Sequence, residues 1–153
     1  MRIPWYLLMT ALLLATSAAV SAQDKAPAKA SETRTLKVKL NYTGSGTVDD
    51  KHHIIVFLFD SPDFMQGGAM PITSQSATAK DGTVTFTDLD KSPVYASAVY
   101  DPSGEYDGMS GPPPSGSSLG LYSKTPGEPA AINIDPGKTG DATIAFDDSA
   151  KMP

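Results

Sequence analysis

Leu36, Val38, Leu40 and Tyr42 alternate with Lys37, Lys39 and Asn41, the period of a half-buried strand with one wet face. Gly44-Ser45-Gly46 ends it. Residues 54–59 form an unbroken apolar run, as expected of a central strand covered on both sides, and Asp60-Ser61-Pro62-Asp63 stops it. Residues 64–75 read as a loop or irregular edge. Asp81-Gly82 lies between Ser76–Lys80 and Thr83–Thr87, and predicts a two-residue hairpin turn because both turn positions of that type need positive φ. Val84 and Phe86 then face the core. Val94, Ala96, Ala98 and Tyr100 alternate with Tyr95, Ser97 and Val99, a strand with apolar groups on both faces that runs straight into Asp101. Short strands at 119–122, 130–134 and 142–146 close the pattern, the last two joined by Asp135-Pro136-Gly137-Lys138.

No segment keeps a helical period, and the glycines and prolines argue against long helices. Seven or so short strands with turn signals between them predict an all-β fold, an antiparallel β-sandwich of Greek-key type, with a small barrel as the alternative. Residues 34–148 form the single expected domain, with 149–153 a short tail.

The start of the chain changes the compartment. Arg2 precedes an apolar run from Trp5 to Leu14 and then small residues ending Val20-Ser21-Ala22, the organisation of a signal peptide cleaved after Ala22. The run is short for a membrane helix and Thr10, Thr16 and Ser17 interrupt it, so no retained membrane span is expected. Residues 23–33 are small and polar and read as a flexible tether. The expected location is a bacterial periplasm or the exterior. With no cysteine in the chain, neither a disulfide nor a thiolate metal site is available. The formal charge of −5 becomes −6 once Arg2 leaves with the leader, and no basic block exists to grip phosphates, which excludes nucleic acid as the expected partner.

The segment Gly82-x-Val84-x-Phe86-x-x-Leu89, followed by Tyr95-x-x-Ala98-Val99-x-Asp101, resembles the middle of the immunoglobulin-like, prealbumin-like sandwiches. These include the transthyretin-like and carboxypeptidase regulatory-like domains. The chain is also similar to an uncharacterised family of exported bacterial sandwiches, in which that strand is followed by an Asp/Asn/Gly loop, then Gly-x-Pro-x-x-Gly, then a short strand. Here these are Asp101 to Asp107, Gly111 to Gly116, and Leu119 to Ser123. The loop is shorter and poorer in Asn than in that family. The resemblance covers about residues 34–147 and implies a fold; it carries no activity.

The stretch 101–118 holds four Gly, four Pro and five Ser, too many breakers for a simple turn, and long loops of this kind often carry function. Asp101, Ser103, Glu105 and Asp107 offer oxygens at alternate positions with Gly104 between them, which is how a chain can curl around calcium, although plain turn chemistry explains the same residues. Tyr106 is the expected exposed aromatic, and Pro112, Pro113 and Pro114 would pre-order a contact loop at low entropic cost. His52 and His53, with Met65, Met70 and Met109, are the residues a copper site would draw on, yet adjacent strand residues face opposite ways. Gly116-Ser117-Ser118-Leu119-Gly120 has the letters of a nucleophile elbow around Ser118, but both histidines precede it and no helix follows. Asp49-Asp50 and Asp147-Asp148 read as solvated turn charges. The expectation is therefore a non-catalytic module for a protein or cell-envelope partner, with the 101–118 loop as contact surface and calcium or small-ligand binding by 101–107 as the alternative. Lys37 and Lys39 would deter edge-to-edge pairing of the first strand, favouring a monomer.

Overall fold

A computed structural model describes residues 33–153; the leader and nearly all of the tether lie outside the described residues. Seven strands form two sheets: β1 (Arg34–Tyr42), β2 (Ile54–Phe59), β3 (Thr73–Ala77), β4 (Thr83–Leu89), β5 (Tyr95–Tyr100), β6 (Ser118–Leu121) and β7 (Thr139–Phe146). One sheet has the order β4-β1-β7 and the other β3-β2-β5-β6. The fold is all-β, and no helix among the described residues is long and apolar enough to cross a membrane.

Alternation decides the inner layer. Leu36, Val38, Leu40 and Tyr42 of β1 pack against Ile54, Val56 and Leu58 of β2, with Phe86, Ala96, Ala98, Tyr100, Ile144 and Phe146 filling the space between the sheets. The wet face of β1 carries the exposed Lys37 and Lys39. All six residues of β2 are buried, as the unbroken run predicts. Its inward set enters this core, while Ile55, Phe57 and Phe59 lie on the opposite side of the sheet in a second cluster with Val99 and Tyr106.

Four expectations are corrected. The sandwich is not wholly antiparallel: β1 and β7 pair in parallel from Thr35↔Thr139 to Tyr42↔Phe146, because a period of two is common to both pairing senses. This pairing also makes β1 the middle strand of its sheet, so Lys37 and Lys39 guard no edge. Asp81-Gly82 closes no hairpin: β3 pairs with β2 while β4 pairs with β1, so the turn carries the chain from one sheet to the other. Gly82 N–H bonds Ala79 O at 3.1 Å, and neither residue takes positive φ. Residues 130–134 make only an isolated bridge, Val94↔Ile132, although Ile132 and Ile134 are buried in the core.

The C-terminal residues are also more than a tail. Leu119 N–H bonds Ala150 O at 2.8 Å, Met152 N–H bonds Ser117 O at 2.9 Å and Gly116 N–H bonds Met152 O at 3.0 Å, so they cover the start of edge strand β6. Across the core, Gly120 allows the two sheets to approach: a Cβ there would stand 2.6 Å from Phe146 Cγ and 2.9 Å from Ile144 Cγ2. Gly120→Ala is therefore expected to cost about 1–3 kcal/mol through overpacking, read as a lower midpoint in urea at unchanged slope.

Candidate functional site

The loop leaving β5 is built around Asp101. This carboxylate is buried and accepts four hydrogen bonds from the loop that follows: Ser103 N–H at 2.9 Å, Ser103 Oγ at 2.5 Å, Glu105 N–H at 3.1 Å and Tyr106 N–H at 3.0 Å. Burial opposes its ionisation, but the donors of Ser103, Tyr106 and Glu105 together outweigh that and hold the carboxyl below its ordinary value. Asp107 repeats the device one turn later, accepting Met109 N–H at 2.8 Å, Ser110 N–H at 2.9 Å and Ser110 Oγ at 2.8 Å. Its carboxyl is lowered by those same donors, Met109 N–H first. Both are Asx-type turns.

The two turns lay the loop on the outer face of the four-stranded sheet. Tyr106 is buried at 8% exposure, a correction to the expectation of an exposed aromatic. Its ring lies 6.3 Å from that of Phe57 and its hydroxyl donates to Gly111 O at 3.0 Å. Burial, with Asp107 nearby, pushes its phenol upward. Gly108, at φ 76°, sits against Phe57 and Ile55 so closely that a Cβ would lie 3.1 Å from the Phe57 ring. Beyond this anchor, Met109 is 87% exposed, Pro112 and Pro114 are exposed and Pro113 is half-buried.

A second loop reaches the same face from β2. Ser61 caps a one-turn 3-10 helix, Pro62–Gln66, by accepting Asp63 N–H at 3.2 Å. That helix stacks Phe64 on Phe59, with centroids 4.1 Å apart and planes 9° apart. Phe64 and Ala69 pack on the outer cluster, while their neighbours Met65 and Met70 are 53% and 82% exposed. Each exposed methionine is thus one residue away from an anchor on the outer face. No family model, curated protein or solved structure matches the chain.

A further cluster gathers at the end of the sandwich. Asp148 Oδ1 accepts Tyr42 Oη at 2.5 Å and Ser118 Oγ at 2.7 Å, and its Oδ2 accepts Ser45 N–H at 2.9 Å and Ser45 Oγ at 3.0 Å. These donors, Tyr42 foremost, hold the Asp148 carboxyl far below the usual range. Burial and the bond to that carboxylate push Tyr42 up to about 12. Lys151 Nζ lies 3.4 Å from Ser118 Oγ, beside a cavity of about 70 Å³ lined also by Tyr100 and Pro102. Ser118 is thus a donor within a buried network at 1% exposure, and Asp148 is no solvated turn charge. Asp49 likewise caps its own turn, accepting Lys51 N–H, His52 N–H and a contact at 3.0 Å with His52 Nδ1.

Of the expected site residues, Asp101, Ser103, Glu105 and Tyr106 do converge, through hydrogen bonds to one carboxylate; Asp107 serves the next turn. Among the described residues no three His, Cys, Asp or Glu side chains gather into a metal-holding group. Phe64 and Gly108 went unread in the sequence, and Asp148 was read only as a solvated turn charge. The outward apolar set of β2 was the one signal available for the first two.

Proposed function

We propose that the protein is an exported, non-catalytic β-sandwich of the immunoglobulin-like, prealbumin-like and Greek-key type. It works as a monomeric interaction module for a protein or cell-envelope partner, and its contact surface is the outer face of the four-stranded sheet with the tip of the 101–118 loop. The observation that carries this reading is Met109, 87% exposed beside a loop anchor that is itself buried. A loop pinned by Asp101 and Tyr106 loses little entropy when it binds, so its displayed side chains are pre-organised for contact. Methionine adapts to irregular apolar partners, which suits such a surface. The strands that carry the family resemblance are β4, with Val84, Phe86 and Leu89 buried, and β5, which feeds the loop. Binding of calcium by Asp101, Ser103, Glu105 and Asp107 has less support, since both aspartates are engaged by their own turns.

Site-specific photo-crosslinking in exporting cells tests the reading. A photoreactive residue at Met109 or Pro112 is expected to capture a partner, while one at Thr85 or Thr143 on the other sheet captures none. Adducts from Thr85 and Thr143 alone would move the contact surface to the opposite face.

A further inference from the structure

The outer face of the four-stranded sheet is one-sided in charge. Between residues 54 and 79, and again between 92 and 123, the chain has no Lys, Arg or His. Those two stretches supply β2, β3, β5, β6 and both covering loops. Their exposed acids include Asp63, Glu105 and Asp107, each adjoining or close to an anchor of the outer cluster and none in an ion pair among the described residues. Basic groups stand at its borders: Lys91 pairs with Asp60 at 2.5 Å, His52 borders Gly104 beside the Lys51 backbone, His53 directly precedes β2, and Lys151 Nζ bonds Gly116 O at 3.3 Å. The opposite sheet carries Lys37 and Lys39 on its wet face.

Resting on the interaction-module reading, we propose that this face binds a cationic, amphipathic polypeptide segment. The methionines Met65, Met70 and Met109 receive its apolar side chains, while the exposed Glu105 receives a lysine or arginine and the turn-bound Asp63 and Asp107 add negative charge beside it. A second copy of the same face would meet like charge, and anionic lipid or nucleic acid would be repelled. A small molecule calls for a concave site, whereas these methionines are exposed, Met65 on the 3-10 helix and Met70 and Met109 on the covering loops. The side chains of methionine re-pack readily, so the face accepts a chemical class of segment in place of one fixed sequence.

Fluorescence anisotropy of the purified protein with three labelled peptides, alternating Lys-Leu, Glu-Leu and Lys-Ser, provides the test. The Lys-Leu peptide is expected to bind, and the exposed triple change Met65→Ser, Met70→Ser, Met109→Ser to weaken it at least about tenfold. The Glu-Leu peptide is expected not to bind, and the weak Lys-Ser binding to vanish in about 0.5 M salt. Lys37→Gln with Lys39→Gln should leave all of this unchanged. Glu-Leu binding equal to Lys-Leu, yet lost in the triple variant, would overturn the cationic partner while leaving the face as the contact surface. Lys-Leu binding indifferent to the methionines would overturn both. So would failure of every peptide to bind while the crosslinks form elsewhere. Sedimentation showing self-association that the triple variant abolishes would make the occupant a second copy and sink the proposal.

Discussion

Asp148→Ala is expected to lower stability at neutral pH by about 3 kcal/mol, a fall of roughly 10 °C in Tm for a domain of this size. The carboxylate accepts from Tyr42, Ser118 and twice from Ser45, so removing it strands several donors at once, one of them on a tyrosine only 2% exposed. Leaving a buried polar group unpaired costs more than the bond itself contributes. The pH dependence has a definite sign. A carboxyl whose folded pKa lies below its ordinary value of 3.8 adds stability that is complete above that value and is lost as pH falls through the folded one. The gap between parent and variant should therefore close in acid, below about pH 4. Tyr42 acts at the other end: pushed up to about 12 from 10.0, it contributes stability below pH 10 that is lost between 10 and 12. A parent alkaline limb steeper than that of the variant, in urea midpoints measured from pH 3 to 11, checks both halves. A flat difference across the range would remove Asp148 from its role.

Much of the sandwich was readable because its inner layer obeys a period of two. Leu36, Val38 and Leu40 announce β1, Val84 and Phe86 announce β4, and the solid run of β2 announces cover on two sides. What periodicity cannot carry is the partner of each strand. Parallel and antiparallel pairing leave the same alternation, so a wholly antiparallel sandwich was expected where β1 and β7 pair in parallel. Nor does a wet face reveal whether its strand is central or at an edge, and Lys37 and Lys39 misled on that point. Asp81-Gly82 has hairpin letters, yet flanking strands in different sheets decide its conformation.

The candidate site was half legible for a similar reason. Breakers and acids marked 101–118 as an unusual loop, and the Asp101 and Asp107 turns are local chemistry within five residues of each aspartate. The burial of Tyr106 is not local, since it depends on the outward side chains Phe57 and Ile55, about fifty residues away, in the cluster it joins. Asp148 is more distant still, meeting Tyr42 across 106 positions. A buried second face on β2 did signal that some loop must cover it; which loop did so required the fold.

Tyr106→Ala should show that this cover also organises the contact surface. The expected loss is about 3 kcal/mol, in the range for removing a buried aromatic ring. Tyr106→Phe, which forfeits only the bond to Gly111 O, should cost about 1 kcal/mol. The two substitutions separate the ring from the hydroxyl. If the ring is the anchor, the alanine variant frees residues 107–114 while the Asp101 turn persists through Ser103 and Glu105. Limited proteolysis should then cut between 107 and 114 well before global unfolding, and hydrogen exchange should rise at Met109 and Ser110, whose amides Asp107 holds. The phenylalanine variant should resist as the parent does. Binding of the Lys-Leu peptide should fall in the alanine variant, even though Tyr106 is buried and the three methionines remain, because a mobile Met109 must be ordered again on contact. Unchanged proteolysis and binding would mean that the turns alone hold the loop, and the outer cluster would then be packing without consequence for recognition.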